Sequence, residues 1–407
     1  MSDKLEAFFK SYADSESQLD FKFAHETIGQ KLPCISTGTL SLDDALSSGG
    51  LPKGRLIQYY GPPGSGKTLL TMLAIKEAQK EDPDAQQVFI DAEQTFDPTW
   101  AEMLGLDASK IILVYGDMAV NGRKCFEMLL GVPKEDAKTH ILKGKSKEGL
   151  LDKIINKELN INLVALDSLG SIIPPGEDIS AVGKMNISLL ARFLTSTLRK
   201  LSLEVNKANI PFIIINHKKA TMDPYGADHT FSGGNTYGHF LSANVYFEPV
   251  NRADAKILNE KEEKVGQTIR ATIEKSKFGP WPRKCEFKVD FGVGVIDIHE
   301  EIAQLAISYD VVKKTSNVTH EYGDKKWVGY PKFCEAIKDD QELAAELTAA
   351  IGQAREHKLD KKRVEQEEKK LLIKESSEAK KPGRKKKDKS SEDDYSEESP
   401  SRGVGKD

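Results

Sequence analysis

The chain has 407 residues, enough for one large core with one or two small appendages, and its 39% hydrophobic and 30% charged content fits a soluble globular protein carrying some unpacked charged sequence. It contains no run of about 18 apolar residues, which excludes a membrane-spanning helix, and its N-terminus lacks the apolar stretch of a signal peptide. Four scattered cysteines (Cys34, Cys125, Cys285 and Cys334) without a C-x-x-C pair argue against a zinc ribbon or a disulfide framework and for the cytoplasm, and a net charge of −4 requires any nucleic-acid surface to concentrate its positive charge locally.

Residues 1–34 read as a small N-terminal helical element, with Leu5, Phe8, Phe9 and Tyr12 at helical spacing. It is too short for a core of its own, so its apolar face must dock elsewhere. Residues 35–292 alternate apolar β-branched runs with helical stretches. The runs are Arg55–Tyr60, Val88–Asp91, Ile111–Tyr115, Leu163–Asp167 and Pro211–Asn216. Such a pattern predicts an α/β core, a twisted and mostly parallel sheet with helices on both faces. Gln267–Glu274 and Lys284–Phe291 alternate polar and apolar residues and predict an antiparallel hairpin at the sheet edge. The Lys-rich stretch 131–160 reads as a surface insertion. Residues 293–357 form a small C-terminal α/β lobe. Residues 358–407, with KKPGRKKKDKS followed by SSEDDYSEES, cannot bury a core and read as a disordered tail.

Gly61-Pro62-Pro63-Gly64-Ser65-Gly66-Lys67-Thr68 is a complete G-x-x-x-x-G-K-[ST] loop between a predicted strand and a predicted helix over Leu69–Lys80. Its glycines let the backbone wrap phosphates, with N–H groups converging at a helix N-terminus; Leu69 closes the nucleotide-contacting set. Lys67 is placed to reach the β- and γ-phosphates of ATP and the Thr68 hydroxyl to ligate Mg²⁺. The apolar run Leu163–Leu166 ends in Asp167, which suits a second Mg²⁺-side carboxylate beside the loop.

Further segments, in order, resemble the RecA family of DNA recombinases: Ile35–Asp43, Gly49–Arg55, Phe89-Ile90-Asp91-Ala92-Glu93, Asp97-Pro98, Trp100, Leu190-Ala191-Arg192, Leu198–Leu201, Ile215-Asn216-His217, Gly233-Gly234-Asn235 and Glu274–Lys277. The resemblance implies a RecA-like P-loop NTPase core, a DNA-dependent ATPase, and a recombinase that forms filaments on single-stranded DNA and exchanges strands with homologous duplex DNA. Residue by residue, it implies that Glu93 is the general base, Asp97 contacts adenine and Trp100 stacks on it. Lys275 and Lys277 match a pair that reaches the γ-phosphate of the neighbouring protomer. Arg192 and Arg199 match residues that grip the DNA backbone, and Gly233, Gly234 and Asn235 match a close backbone approach to DNA.

Two polar loops, about 174–186 and 218–232, are expected to face the filament axis. In the second, Lys218 and Lys219 can neutralise phosphates, and Met222, Tyr225 and Phe231 can wedge between bases. His217 stands where the bacterial family has a γ-phosphate-sensing glutamine, which is similar to the phage recombinases of the UvsX type and could add pH dependence. Gly238 and His239 also depart from the bacterial pattern, at a subunit interface. The resemblance further implies mediator and single-stranded-DNA-binding proteins as partners. Two rival readings are a hexameric helicase-type ATPase of the same superfamily and an ATP-gated DNA-coating protein without strand exchange.

Overall fold

The computed structural model describes residues 32–135, 142–177, 187–234, 236–280, 282–316 and 318–358. The N-terminal element up to residue 31, the tail from 359, residues 178–186 and 221–228 of the two polar loops, and Asn235 lie outside the described residues, and so do the readings made for them above.

The central sheet contains β1 (Leu56–Gly61), β2 (Gln86–Asp91), β3 (Ile111–Val114), β4 (Ile161–Asp167), β5 (Phe212–Ala220), β6 (Ala243–Pro249), β7 (Lys264–Ser276), β8 (Arg283–Asp290) and β9 (Gly294–Val295). Their spatial order is β3-β2-β4-β5-β1-β6-β7-β8-β9. The first six run parallel and the last three antiparallel. The order reverses direction between β4 and β1, which opens a crevice at the carboxyl ends of the strands. Two short strands, His229–Phe231 and Lys256–Leu258, pair antiparallel with β5 and β7.

Among the described residues, the helices longer than one turn are α1 (Leu40–Ala45), α2 (Lys67–Glu81), α3 (Pro98–Met103), α4 (Gly122–Leu130), α5 (Leu150–Ile155), α6 (Ile187–Ala208), α7 (Ile298–Ser308), α8 (Tyr330–Asp339) and α9 (341–358). The parallel strands read as nearly continuous apolar runs because each feeds two cores at once. In β5, Ile213 and Ile215 join α2 on one face, while Phe212 and Ile214 join α4, α5 and α6 on the other. A separate apolar cluster, including Ile302, Phe333 and Leu347, holds α7, α8 and α9 together, with Leu40 of α1 packed against it. Glu301 joins this group to the core: its buried carboxylate accepts bonds from Thr39 Oγ1 (2.6 Å) and the Leu40 N–H (2.9 Å).

The 131–160 stretch folds as an antiparallel hairpin, Val132–Glu135 against Leu142–Lys147, followed by α5. No helix among the described residues is long and apolar enough to cross a membrane.

Candidate ATPase site and DNA-facing surface

The phosphate loop joins β1 to α2, so its backbone N–H groups gather at a helix N-terminus. Gly66 (φ 86°) sits in the left-handed region, and a Cβ there would come within 2.3 Å of Ile269 Cδ1. A Cβ at Gly61 would come within 2.1 Å of the Phe247 carbonyl oxygen. Only glycine permits this turn against β6 and β7. Lys67 is buried, and its Nζ donates to the carbonyls of Pro62 (2.9 Å) and Gly61 (3.3 Å) within its own loop. Burial pulls its pKa down, opposed by the Asp167 and Glu93 carboxylates. An ammonium held only by neutral oxygens of its own loop, the Pro62 and Gly61 carbonyls and the Ser65 hydroxyl (3.5 Å), is suited to an anion such as a triphosphate.

The other site residues come from the ends of the neighbouring strands. Thr68 Oγ1 donates to Asp167 Oδ2 at 2.7 Å. Asp167 is 2% exposed, and burial lifts its pKa to about 6, with Glu93 and Asp91 adding and Thr68 and Lys67 opposing. A desolvated carboxylate paired with a threonine hydroxyl fits a hard divalent cation, which prefers oxygen donors. Ala92 N–H donates to the Asp167 carbonyl at 2.7 Å, tying the exit of β2 to β4. Glu93 follows directly and meets His217 Nε2 at 2.5 Å, with Ser168 Oγ 3.1 Å from the same nitrogen. The His217 hydrogen bond is the largest cause holding the Glu93 carboxyl below its usual range. His217 in turn faces Gly61 in the β5–β1 register. The structure thus brings Gly61, Lys67, Thr68, Asp167, Glu93 and His217 into one crevice.

Trp100 lies on α3 and Asp97 immediately precedes that helix. Asp97 caps the helix, accepting from Thr99 N–H (2.8 Å) and Trp100 N–H (3.4 Å), with Pro98 in the first turn. Trp100 Nε1 donates to the Phe291 carbonyl at 2.6 Å. The Phe291 ring lies 5.7 Å from Lys264 Nζ, Lys264 bonds Gln267, and Gln267 Nε2 donates to the Gly64 carbonyl at 2.7 Å. This chain ties Trp100 to the phosphate loop. Gln267 and Phe291 carry no signal in the sequence, because their contacts join segments far apart in the chain.

Lys275 and Lys277 are not part of that crevice. Lys275 faces Asn244, which faces Gln58, so both lysines sit toward the amino end of β1, away from the phosphate loop. Lys275 Nζ bonds the Gly238 carbonyl (2.5 Å) and Lys277 Nζ the His239 carbonyl (3.3 Å). Burial, then the Lys277 charge, pulls the Lys275 pKa down.

Of the residues expected to meet DNA, Arg192 and Arg199 are exposed on α6, and the Arg199 guanidinium lies 5.8 Å from the Phe240 ring centre. Lys218 and Lys219 are exposed at the end of β5; Lys218 Nζ bonds the Tyr246 hydroxyl at 2.8 Å. Phe231 does not stand free in the loop. It is half-buried against Tyr60 (5.5 Å) and Tyr237 (5.3 Å), because His229–Phe231 pairs back onto β5. Gly233 and Gly234 have positive φ and face α6: a Cβ at Gly233 would meet Leu194 Cδ1 at 2.5 Å, and one at Gly234 would meet Ala191 Cβ at 3.3 Å. Their close approach is to a helix of the same chain. Met222, Tyr225 and Asn235 lie outside the described residues.

Beneath this surface runs a buried polar cluster. The Tyr237 hydroxyl donates to Gln58 Oε1 (2.7 Å) and accepts from Asn216 Nδ2 (2.6 Å). Asn216 also donates to the Ser232 carbonyl (2.9 Å) and accepts from the His217 N–H (2.8 Å), and Gln58 donates to Asn244 (2.9 Å).

A phosphate loop on a doubly covered parallel sheet, with carboxylates at the adjacent strand ends, defines a P-loop ATPase. The RecA N-terminal domain model matches residues 13–136 and 143–296. Protein RecA of Wolinella succinogenes is 32% identical over 325 residues, covering 79% of this chain and 83% of its own. Protein RecA of Helicobacter pylori (strain HPAG1) is 32% identical over 328 residues, 80% of this chain and 84% of its own. Protein RecA of Pseudomonas syringae pv. syringae is 30% identical over 323 residues, 79% and 82% respectively. The chain belongs to the RecA family, and with it to the DNA-dependent ATPases that serve recombination and repair.

Proposed function

We propose that this protein assembles head to tail on single-stranded DNA, with ATP bound between adjacent protomers, and pairs that strand with homologous duplex DNA. The observation that carries this reading is the division of the ATPase residues. Lys67, Thr68, Asp167 and Glu93 converge at one end of the sheet, and Lys275 and Lys277 lie at the other. In the proposed joint, Lys67 binds the β- and γ-phosphates, and Lys275 and Lys277 of the next protomer bind the γ-phosphate from the far side. Thr68 and Asp167 are the residues that would hold Mg²⁺, which would supply neutralisation of phosphate charge. Glu93 orients the attacking water and takes its proton, which requires His217 to release the carboxylate it holds in this conformation. Asp97 and Trp100 border the adenine. Arg192, Arg199, Lys218 and Lys219 neutralise DNA phosphates. Mediator and single-stranded-DNA-binding partners belong to the same reading. A closed ring of the helicase type is not favoured by the family membership.

The test is ATP hydrolysis with and without single-stranded DNA, on wild type and Lys67→Ala. Strong stimulation by DNA, abolished in the variant, is expected. Hydrolysis indifferent to DNA would overturn the coupling.

A further inference from the structure

The hairpin, α4 and α6 enclose a cavity of about 510 Å³ that none of the roles above uses. Its size falls in the roughly 300–1,000 Å³ range of sites that take a small-molecule-sized unit. Its floor is apolar and includes Phe126 and Phe193, in edge-to-face contact at 5.6 Å, together with Leu130. Its rim carries Arg123, Lys145 and Lys200, with Glu127 as the acid of the lining.

The hairpin is fixed in place. Lys145 Nζ bonds both Asp152 carboxylate oxygens (2.6 and 2.7 Å), and Asp152 Oδ2 also accepts the Gly149 N–H (2.8 Å). Gly131 (φ 82°) turns α4 into the hairpin where a Cβ would come within 2.6 Å of the Lys147 carbonyl oxygen. Lys145 therefore serves as an anchor. The side chains of Arg123 and Lys200 are exposed and have no hydrogen-bond or ion-pair partner among the described residues, and the same holds for the Lys134 and Lys147 side chains on the hairpin.

The cavity is continuous with the DNA-facing side in two ways. Ile173 N–H bonds the carbonyl of Val120, just before α4, and Gly122 N–H, the first of α4, bonds the Ile173 carbonyl, both at 2.9 Å, and Pro175 lines the cavity. The root of the first polar loop is thus part of its wall. On α6, Arg192, Ser196, Arg199 and Lys200 fall on one helical stripe, and Ser196 and Lys200 line the cavity. We infer that this groove is an additional DNA-contact site: Arg123 and Lys200 neutralise phosphates of a strand that continues outward from the first loop along α6, and Phe193, half-buried against the buried Phe126, offers its ring to the flat face of a base.

The inference rests on the DNA-binding reading, and one experiment separates the two. Affinity of the full chain for an oligonucleotide, with a non-hydrolysable ATP analogue, is measured as a function of salt for wild type, Arg123→Ala/Lys200→Ala and the charge-preserving Arg123→Lys/Lys200→Arg. Each phosphate neutralised on a single strand contributes about 0.7 to the slope of log affinity against log salt. The alanine pair should lower that slope by about 1.4, so a fourfold rise in salt should cost wild type about sevenfold more affinity than the variant. The charge-preserving pair should keep the wild-type slope. Unchanged slope in the alanine pair, with wild type binding normally, overturns the groove and leaves the loops standing. Unchanged slope together with binding of a peptide spanning residues 390–399, lost in the alanine pair, overturns it in favour of an acidic segment as occupant. No analogue-dependent binding by wild type overturns the DNA reading itself.

Discussion

The trans assignment of Lys275 and Lys277 can be tested by mixing two inactive proteins. Lys275 lies opposite Gln58 through Asn244, three residues before Gly61 and two strands away. At about 3.3 Å per residue and about 4.8 Å per strand, its Cα is some 14 Å from that of Gly61, and Lys277 is farther. A lysine stem spans only about 6 Å, so neither side chain can reach a γ-phosphate held in its own crevice. Cationic fingers supplied in trans raise turnover by about 10³–10⁵, or about 4–7 kcal/mol of barrier. Lys67→Ala alone and Lys275→Ala/Lys277→Ala alone should therefore both be nearly inactive on single-stranded DNA. In an equal mixture, about a quarter of the joints combine an intact phosphate loop with intact lysines from the neighbour. Hydrolysis should return to about a quarter of the wild-type rate. If each variant assembles on DNA by electron microscopy and the mixture stays inactive, the lysines act within their own protomer or not on the nucleotide at all.

Other predictions concern single positions. Glu93→Gln should keep ATP binding, read by a fluorescent analogue, and lose hydrolysis by at least about 10²-fold; normal turnover would remove Glu93 as base. Gly233→Ala adds a Cβ 2.5 Å from Leu194 Cδ1 at φ 91° and should destabilise by about 2–4 kcal/mol in thermal or denaturant unfolding. Lost DNA affinity with unchanged stability would instead make Gly233 a DNA contact. Burial lifts the Glu301 pKa from 4.5 to about 7. Its contribution is therefore fully present below pH 4.5 and is lost as pH rises through 7, about 3 kcal/mol in all. Glu301→Gln should flatten the decline in unfolding free energy between those pH values, and an unchanged profile would exclude this carboxyl as its source.

The core of this molecule was legible because its signals are local. The phosphate loop needs glycines at fixed spacing, and β4 needs seven buried residues ending in an acid, so Gly61–Thr68 and Asp167 can be read without a fold. The cap at Asp97 is equally local, since Asp-Pro-Thr sets a side-chain acceptor ahead of a first turn that begins with proline. What could not be read depends on distant pairing. Phe231 reads as a base wedge in a polar loop until His229–Phe231 is seen to fold back on β5 and turn the ring toward Tyr60 and Tyr237. Gly233 and Gly234 read as room for DNA until α6 is packed against them. The Lys-rich stretch at 131–160 has no apolar period to announce a hairpin, and its cavity exists only because α4 and α6 complete it.

The buried cluster around Tyr237 sets how a signal can travel through this protein. It clamps β1, β5 and the Ser232 end of the second loop with several polar atoms whose partners lie inside an apolar layer. Pulling one segment away from the other two would strand buried donors or acceptors at a cost of about 1–3 kcal/mol each. Distances between these three segments are therefore held to within the tolerance of a hydrogen bond. A displacement at the end of β5 therefore cannot travel as a sliding of strands and is left to side chains outboard of the clamp, the His217 imidazole among them, on a frame that stays stiff while they move.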